Sequence, residues 1–292
     1  MIPRFSFSRP RSLGDAFNAH AATDGEGAYV VGGTELLQVM KMGLAQFRTL
    51  IDLKGIAELH GIEVLADGTL RIGACTTHRQ IERSPIVAAS LPGLAELELH
   101  LANVRVRNQG TIGGNLAFAE PHSDPATFLL ACDARVELAS PAGRRTVAID
   151  EFVLGPLYTS REPEEILTAV LVPPAGKGGG RGYAKAKFFE RPAVAVGVAL
   201  TVVDSVVVSA RVSVGSITEV PMLVPAAAAG LVGAAADPAS LAAAARIAAA
   251  SAFADLDAVD DLNGAADYKR HLAGVLIQQA ALAALTEATP HA

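Results

Sequence analysis

Thr111-Ile112-Gly113-Gly114-Asn115, together with the earlier Val31-Gly32-Gly33-Thr34-Glu35, places two adjacent glycines beside hydroxyl or amide side chains. We name the earlier stretch the first diglycine turn and the later one the second diglycine turn. Glycine permits φ > 0 and lets a ligand approach the backbone without meeting a Cβ atom. Successive free N–H groups in such a turn bind an anion, and a helix that begins behind the turn adds a favourable dipole. The pair therefore predicts a clamp for one diphosphate of a dinucleotide, in particular a flavin.

Ordinary chain reversals are the competing interpretation of these glycine pairs, because 27 of the 292 residues are glycine. Neither turn has the GxGxxG spacing of a Rossmann fold or the GxxxxGKS/T spacing of a P-loop, so neither of those mechanisms is predicted. The presence of a second turn, flanked by Thr111 and Asn115, favours paired phosphate loops over chance pairs.

The composition excludes several classes of protein. A length of 292 residues predicts two domains. The net charge of -6, with 18% charged residues, excludes the basic surface that nucleic acid or an anionic membrane would require. No uninterrupted apolar run is long enough to span a bilayer. Arg9, Pro10 and Arg11 precede any apolar core of a signal peptide, so we expect a cytoplasmic protein.

The residues that commonly carry catalysis or bind metals do not form a recognisable pattern. Cys75 and Cys132 stand far apart, so their spacing holds neither zinc nor an iron–sulfur cluster, and we expect two buried thiols. The seven histidines show no metal-binding spacing. His122, Ser123 and Asp124 are consecutive and lack a GxSxG elbow, which argues against a hydrolase. We predict no catalytic residue and no metal ligand on this chain.

Apolar periodicity predicts two domains that meet at a break in composition. A β–loop–α–β unit is expected over about residues 1–55, with a helix that Thr34 caps. Hairpins and helices follow over 56–176, including one helix from Ser84 to about Leu101. The run 173–180 contains two prolines and four glycines and marks the boundary. Strands over 183–189, 193–203 and 206–214, with an alanine-rich helical tail, then predict an antiparallel sheet covered by helices on one face.

Two further positions offer charged groups to a ligand. Asp124 follows the second diglycine turn on the same connection, where it caps a helix, accepts hydrogen bonds from a ribose, or does both. Lys185 and Lys187 lie on the first strand after the domain boundary. A cation at either position would stabilise negative charge on a reduced flavin, whereas a solvated surface lysine is the competing interpretation.

The spaced combination of these motifs resembles the FAD-binding subunit of the molybdenum hydroxylases. That family includes the medium subunit of aerobic carbon monoxide dehydrogenase and the flavin domain of xanthine dehydrogenase. The resemblance covers almost the whole chain and is carried by Val30–Leu36, Val104–Asn115, Pro121–Asp124, Glu164–Leu167, Tyr183–Lys187 and Asp267–Arg270.

The resemblance implies an α+β fold: a p-cresol methylhydroxylase-type FAD-binding domain over 1–176, with subdomains over about 1–55 and 56–176, and a C-terminal domain over 177–292. It implies FAD as the cofactor. Lys187 is a rival to Lys185 as the lysine beside the flavin. The FAD contacts that the resemblance implies are Val30, Val31, Gly32, Gly33, Thr34, Glu35, Leu36, Leu101, Thr111, Ile112, Gly113, Gly114, Asn115, Asp124, Leu167 and Lys185.

The resemblance also implies a function and partners. A large molybdopterin subunit would oxidise the substrate, a small 2Fe–2S subunit would relay electrons, and this chain would pass them from FAD to an external acceptor, in a dimer of heterotrimers. The carbon monoxide dehydrogenase form of the first turn has His-Ser where this chain has Thr34-Glu35, which argues against carbon monoxide as the substrate. The alternatives are a free-standing FAD-dependent oxidase or reductase, and a nucleotide-sensing module without redox function.

Overall fold

The computed structural model describes residues 4–188 and 190–289 of the chain. Residues 1–3, 189 and 290–292 lie outside this part. Three parts of the predictions therefore lie outside the described residues: the start of the first predicted domain, the end of the second, and the last residue of the strand predicted over 183–189.

A small parallel sheet organises the N-terminal unit. Its strands β1 (Ser6–Ser8), β2 (Gly27–Val30) and β3 (Thr49–Asp52) lie in the order β1-β3-β2. In the chain, helix α1 (Leu13–Ala21) lies between β1 and β2, and helix α2 (Leu36–Lys41) lies between β2 and β3. The neighbours β2 and β3 are parallel and therefore need the crossover connection that α2 provides. The β–loop–α–β unit predicted from the sequence is present, and the first diglycine turn joins β2 to α2.

An antiparallel sheet of five strands organises the next unit, and its strand order is β4-β5-β10-β6-β7. The second diglycine turn stands in the helical part of this unit. In chain order the elements are β4 (Ile62–Val64), β5 (Leu70–Gly73), α3 (His78–Glu82), α4 (Pro85–Ser90), α5 (Pro92–Leu99), α6 (Val104–Gln109), α7 (Ile112–Phe118), α8 (Asp124–Ala131), β6 (Arg135–Ser140), β7 (Gly143–Ala148), α9 (Ile149–Phe152), β8 (Val153–Gly155), β9 (Tyr158–Thr159) and β10 (Ile166–Val172).

The prediction of a single helix from Ser84 to about Leu101 is wrong, because the stretch contains a break. Two helices, α4 and α5, occupy this stretch, and Leu91 separates them with a φ of -152°. The ring of Pro92 disfavours a helical conformation at the residue before it, which ends α4 and starts α5 in a new direction. The break places the side chains of α5 against α3 and α8, where Leu94 and Leu97 join the core.

A second antiparallel sheet and three helices form the C-terminal unit. Strands β11 (Gly179–Lys187), β12 (Pro192–Val203), β13 (Val206–Gly215) and β14 (Met222–Leu223) lie in sequence order. The helices are α10 (Pro225–Leu231), α11 (Pro238–Ala252) and α12 (Ala266–Ala288). They share one apolar core with the sheet, to which Val196, Val212 and Ile277 contribute fully or almost fully buried side chains. The prediction of helices on one face of this sheet is confirmed.

Helix α8 covers the other face of that sheet. Every residue of α8 is buried, and Ser213 of β13 donates a hydrogen bond of 2.7 Å to the carbonyl oxygen of Thr127. Side chains alternate across a strand, so Tyr183, Lys185 and Ser213 share the face towards α8, opposite to the face that α12 covers. The start of α8 therefore meets β11 directly. Among the helices of residues 4–188 and 190–289, none has the length and apolar character needed to cross a membrane.

Candidate functional site

A cavity of about 1170 Å³ is lined by residues from all three units. This volume exceeds the roughly 300–1,000 Å³ typical of pockets for drug-sized ligands, so it has room for a dinucleotide. The cavity wall contains 14 of the 16 residues implied by the resemblance; the two exceptions are Ile112 and Lys185. The lining members of that set are Val30, Val31, Gly32, Gly33, Thr34, Glu35, Leu36, Leu101, Thr111, Gly113, Gly114, Asn115, Asp124 and Leu167.

The two diglycine turns lie directly beside each other, although they are far apart in the chain. A Cβ atom built on Gly32 would stand 2.2 Å from the carbonyl oxygen of Gln109 and 2.9 Å from the Cα atom of Gly110. Gly32 is thus needed because another backbone passes where a side chain would be. This contact brings the first turn against the segment that leads into the second turn, as a two-sided clamp requires.

The first diglycine turn presents unused donors to the cavity. Gly33 adopts φ = +68°, the conformation that glycine supplies without strain. Within the described residues, the backbone N–H groups from Gly32 to Glu35 have no hydrogen-bond acceptor in the protein. Four successive N–H groups of this kind form a concavity that binds anions. The turn therefore fits a diphosphate group.

The prediction that Thr34 caps the following helix is wrong. Helix α2 begins at Leu36, its N-cap residue is Glu35, and no side chain makes the capping hydrogen bond. Gly33 supplies the reversal with its positive φ, so the chain reaches the helix one residue later than the Thr34 cap would require. The Thr34 hydroxyl lines the cavity and has no protein partner among the described residues. It remains available to a ligand.

The second diglycine turn differs from its prediction, because Gly113 and Gly114 form the first turn of helix α7 and neither has a positive φ. Their amides are already used. The N–H of Gly113 donates to Ala74 O at 3.0 Å, and the N–H of Gly114 donates to Thr111 Oγ1 at 3.2 Å. Ile112 likewise donates its N–H to Thr76 O at 3.1 Å, and its side chain is fully buried in the core. The expectation of free backbone donors in this turn is wrong.

The second turn instead offers side chains and a close packing contact. A Cβ atom on Gly113 would stand 2.5 Å from the Cβ of Ala74, so this glycine lets α7 lie against the end of β5. Asn115 lines the cavity, and its Oδ1 accepts a hydrogen bond of 2.6 Å from Ser123 Oγ. That bond orients the amide and leaves its NH₂ group for a ligand.

Asp124 does not cap helix α8. The N-cap residue is Ser123, whose hydroxyl accepts from the N–H of Ala126 at 3.2 Å. The carboxylate of Asp124 instead accepts hydrogen bonds from the Tyr183 hydroxyl and, at 2.8 Å, from Lys185 Nζ. Burial and then the charge of Asp124 raise the pKa of Tyr183 well above 10.0, so its phenol keeps its proton. Because Asp124 is only 5% exposed, this cluster is a buried ion pair that joins α8 to β11.

The two lysines on β11 differ in their surroundings. Lys185 has a 9% exposed side chain and lies behind Asp124, outside the cavity wall. Lys187 is exposed. Both lysines approach the carbonyl oxygen of His100, Lys185 at 3.1 Å and Lys187 at 3.4 Å. The buried ammonium of Lys185 acts on the cavity through the carboxylate of Asp124, which does line it.

Several charged residues of the cavity wall were missed by sequence reasoning. His78 is 3% exposed, and its Nδ1 lies 3.0 Å from the fully buried carboxylate of Glu98. Arg161 donates through Nη1 to the carbonyl oxygens of Glu162, Pro163 and Glu165, and burial lowers its pKa. No spacing in the sequence marks these side chains, because their contacts form only in the folded chain: His78 pairs with Glu98 of α5, and Arg161 contacts carbonyl oxygens of its own loop. Arg191, Glu120 and His122 were missed for the same reason.

Comparison with known families covers both parts of the chain. The family described as the FAD binding domain in molybdopterin dehydrogenase matches residues 3–175. The family described as the CO dehydrogenase flavoprotein C-terminal domain matches residues 185–284. The first match alone covers more than half of the chain.

Individual relatives agree with this assignment. The nicotine 6-hydroxylase medium subunit of Paenarthrobacter nicotinovorans is 34% identical over 278 residues, which are 95% of this chain and 96% of the relative. Among solved structures, a chain of carbon monoxide dehydrogenase from Hydrogenophaga pseudoflava superimposes with a TM-score of 0.91 at 34% identity, over 98% of this chain and 99% of that one. A chain of quinoline 2-oxidoreductase from Pseudomonas putida 86 gives a TM-score of 0.90 at 29% identity, over 99% of both chains.

The chain therefore belongs to the family of FAD-binding flavoprotein subunits of the molybdopterin dehydrogenases. It is the flavin-carrying, electron-transferring component of an oxidoreductase. The resemblance, the α+β fold class and the FAD cofactor predicted from the sequence are confirmed.

Proposed function

We propose that this chain holds one FAD in the 1170 Å³ cavity, with the diphosphate on the free N–H groups of the first diglycine turn. The observation that carries the proposal is the convergence of 14 of the 16 implied residues on one cavity. The same cavity offers four backbone donors that have no acceptor among residues 4–188 and 190–289. The second turn contributes to the site from the other side, because Thr111 caps helix α7 and Asn115 would direct its amide at the ligand.

The remaining residues divide between polar and apolar contacts. Asp124 would accept hydrogen bonds from the ribityl or ribose hydroxyls, held in place by Tyr183 and Lys185. Leu101 and Leu167 would give the flavin apolar surface and exclude water from it. Burial favours Lys185 over Lys187 as the lysine that acts near a reduced flavin, where it neutralises the carboxylate of Asp124 and so lowers the repulsion between that carboxylate and the reduced ring.

FAD supplies the redox chemistry when bound, and this chain binds, orients and shields it. We further propose that the chain works with a large molybdopterin subunit and a small 2Fe–2S subunit, as a dimer of heterotrimers in the cytoplasm. We also propose a domain boundary at residues 176 and 177. The separate cores of the five-stranded and four-stranded sheets support that boundary.

The substrate would be chosen by the molybdopterin subunit. The names of the relatives refer to nicotine, carbon monoxide and quinoline, yet their medium chains or matched chains resemble this one at 29–34% identity. A chain that is similar across such different substrates is suited to a common task, the transfer of electrons through FAD to an external acceptor.

Purification from the native source tests the proposal. We expect a visible flavin spectrum, release of FAD on denaturation, and one larger and one smaller companion chain that carry molybdopterin and iron–sulfur clusters. A single polypeptide with its own substrate turnover would favour the free-standing oxidase or reductase. A colourless chain that binds an adenine nucleotide would favour the sensing module and overturn the proposal.

A further inference from the structure

One arginine of the C-terminal unit bridges carboxylates that stand behind the two diglycine turns. Arg191 directly precedes β12, and its Nη2 lies 3.3 and 3.2 Å from the two carboxylate oxygens of Glu35, the residue after Thr34. Its Nη1 donates to the carboxylate of Glu120, which follows the end of α7. All three residues line the cavity. One guanidinium thus connects the exit of the first turn to the far end of the helix that the second turn begins.

The chain of charges continues into the C-terminal core. Glu120 accepts from His122 Nδ1 at 3.0 Å, and His122 Nε2 lies 3.0 Å from Asp261 Oδ2. Asp261 Oδ1 pairs at 2.7 Å with the ammonium of Lys269, a fully buried side chain. Lys269 also donates to the carbonyl oxygens of Ser216 and Val259, at 3.2 and 3.1 Å. The series alternates in sign from end to end: Glu35, Arg191, Glu120, His122, Asp261, Lys269. We name these six side chains the charge clasp.

The clasp requires a positively charged His122. A neutral imidazole has one N–H group, whereas both ring nitrogens of His122 lie 3.0 Å from a carboxylate oxygen. The hydrogen bond with Glu120 raises the pKa of His122 above 6.5, burial opposes this, and Asp261 raises it further. Burial opposes ionisation of Asp261 too, but its hydrogen bonds with Lys269 and His122 lower its pKa to about 2. The amide of Asn263 also faces the ring, at 3.5 Å from Nε2.

The position of Glu35 explains why Arg191 is needed at this place. Its backbone N–H is one of the four donors of the first turn that have no acceptor within the described residues, so its carboxylate stands near the place where a diphosphate would bind. The carboxylate and the diphosphate are both negatively charged, so they repel each other. Arg191 neutralises Glu35 and at the same time fixes the turn relative to Glu120. A clasp that holds both turns in the binding geometry raises the apparent affinity, because a ligand need not select a rare conformation.

We propose that the charge clasp positions the two diglycine turns for FAD, with Arg191 as the positioning residue and His122 as a link that opens when it loses its proton. The inference rests on the proposed function, because it takes FAD as the ligand of the turns. Since the pKa of His122 is raised, the clasp is complete at and below pH 6.5 and opens as the pH rises through that higher pKa. FAD affinity should fall over the same range.

The test is titration of FAD into the deflavinated full-length chain at pH 6, 7.5 and 9. For Arg191→Gln at pH 6 we expect the Kd for FAD to rise about tenfold, the effect of losing a hydrogen-bonded charge pair. Arg191→Lys should recover part of this loss, because a lysine keeps the charge but not the planar fork. The matched control is Arg144→Gln. Arg144 also bridges two carboxylates, Glu58 and Glu137, with similar exposure (45% against 50%), and it does not line the cavity.

The pH profile separates this role from a merely structural one. The Kd of the wild-type chain should rise about fivefold from pH 6 to pH 9, in the lower part of the range of coupling between linked sites. His122→Gln should remove most of that slope, and circular dichroism should show that it is folded. An unchanged Kd in Arg191→Gln, full recovery in Arg191→Lys, or an equal pH slope in His122→Gln would overturn the clasp alone. Failure of the wild-type chain to bind FAD at any pH would overturn the proposed function, and the clasp with it.

Discussion

The two diglycine turns look alike in the sequence and do different work in the structure. The first turn joins a strand to a helix and has φ = +68° at Gly33. Its four successive N–H groups have no acceptor in the part of the protein that the structure describes. The second turn is part of a helix, and its N–H groups already donate within the protein. Ile112 donates to Thr76 O, Gly113 to Ala74 O and Gly114 to Thr111 Oγ1. The first turn thus keeps its backbone donors available, and the second turn uses them to pack its helix against the rest of the unit.

The difference shows why a glycine pair alone does not identify a phosphate loop. Glycine at Gly33 provides a conformation, whereas glycine at Gly32 and Gly113 provides space for a neighbouring backbone or methyl group. Both requirements select the same residue type. What distinguishes them is the destination of the N–H groups, because a backbone donor can serve a ligand only where the protein has not already used it.

The largest effect is expected from Gly32→Ala. The new Cβ would stand 2.2 Å from the carbonyl oxygen of Gln109, so the two turns must move apart. We expect the Kd for FAD to rise by more than about a hundredfold and the free energy of unfolding to fall by about 3 kcal/mol, the upper end for overpacking. FAD titration and urea unfolding of the apoprotein measure the two effects.

Gly14→Ala is the control for that experiment. Gly14 lies in α1, and the nearest atom to a new Cβ is Ser12 Oγ at 3.9 Å. Alanine is the better helix former, so stability should stay unchanged or rise by up to about 1 kcal/mol, with wild-type FAD binding. If Gly32→Ala behaved like Gly14→Ala, the contact between the two turns would have no role in the site.

Gly113→Ala should separate stability from binding. Its Cβ would meet the Cβ of Ala74 at 2.5 Å and push α7 away from the sheet. We expect a loss of about 2 kcal/mol in the free energy of unfolding. The Kd for FAD should change less than in Gly32→Ala, because the amide of Gly113 already serves Ala74. Urea unfolding followed by FAD titration on the folded variant gives both numbers.

Gly114→Ala is the companion variant, since its Cβ would meet only the side-chain oxygen of Thr111, at 3.0 Å. It should cost less stability than Gly113→Ala. The division of work between the turns would be contradicted if Gly113→Ala kept its stability and lost FAD as strongly as Gly32→Ala.

Local patterns were enough to predict most of the fold. Apolar runs and turn residues predicted the hairpins of the five-stranded sheet and the strands β11, β12 and β13 of the four-stranded sheet, whereas β14 was not predicted. The cap of α8 was predicted wrongly, because the sequence indicated Asp124. The hydroxyl of Ser123 makes the cap instead, and the carboxylate of Asp124 accepts hydrogen bonds from Tyr183 and Lys185. These two partners lie on β11, a strand that is distant in the chain, so no local pattern indicates them.

The candidate site also contains residues that could be predicted and residues that could not. The residues of the diglycine turns that line the cavity were predicted from their local motif. The charge clasp was not found, because Arg191 and Glu35 are 156 positions apart and His122 and Asp261 are 139 apart. Isolated Arg, Glu and His residues on a chain with 24 Lys and Arg carry no signal of their partners. Such pairs are defined only once the three units pack.

The smallest expected effect comes from comparing the threonines of the two turns. Thr111 Oγ1 accepts the N–H of Gly114 and caps α7, whereas Thr34 is not the cap of α2. Thr111→Val should therefore lower the free energy of unfolding by about 1 kcal/mol, the usual cost of losing a cap. Thr34→Val should leave stability unchanged and raise the Kd for FAD about fivefold, the effect of one lost hydrogen bond.

Valine keeps the shape and the β-branch of threonine in both variants, so the hydroxyl is the only difference. Thermal melts of the apoprotein and FAD titration of each variant form a two-by-two comparison. If Thr34→Val lowered the melting temperature while Thr111→Val weakened only FAD binding, the roles of the two turns would be reversed, and the free amides of the first turn would need another explanation.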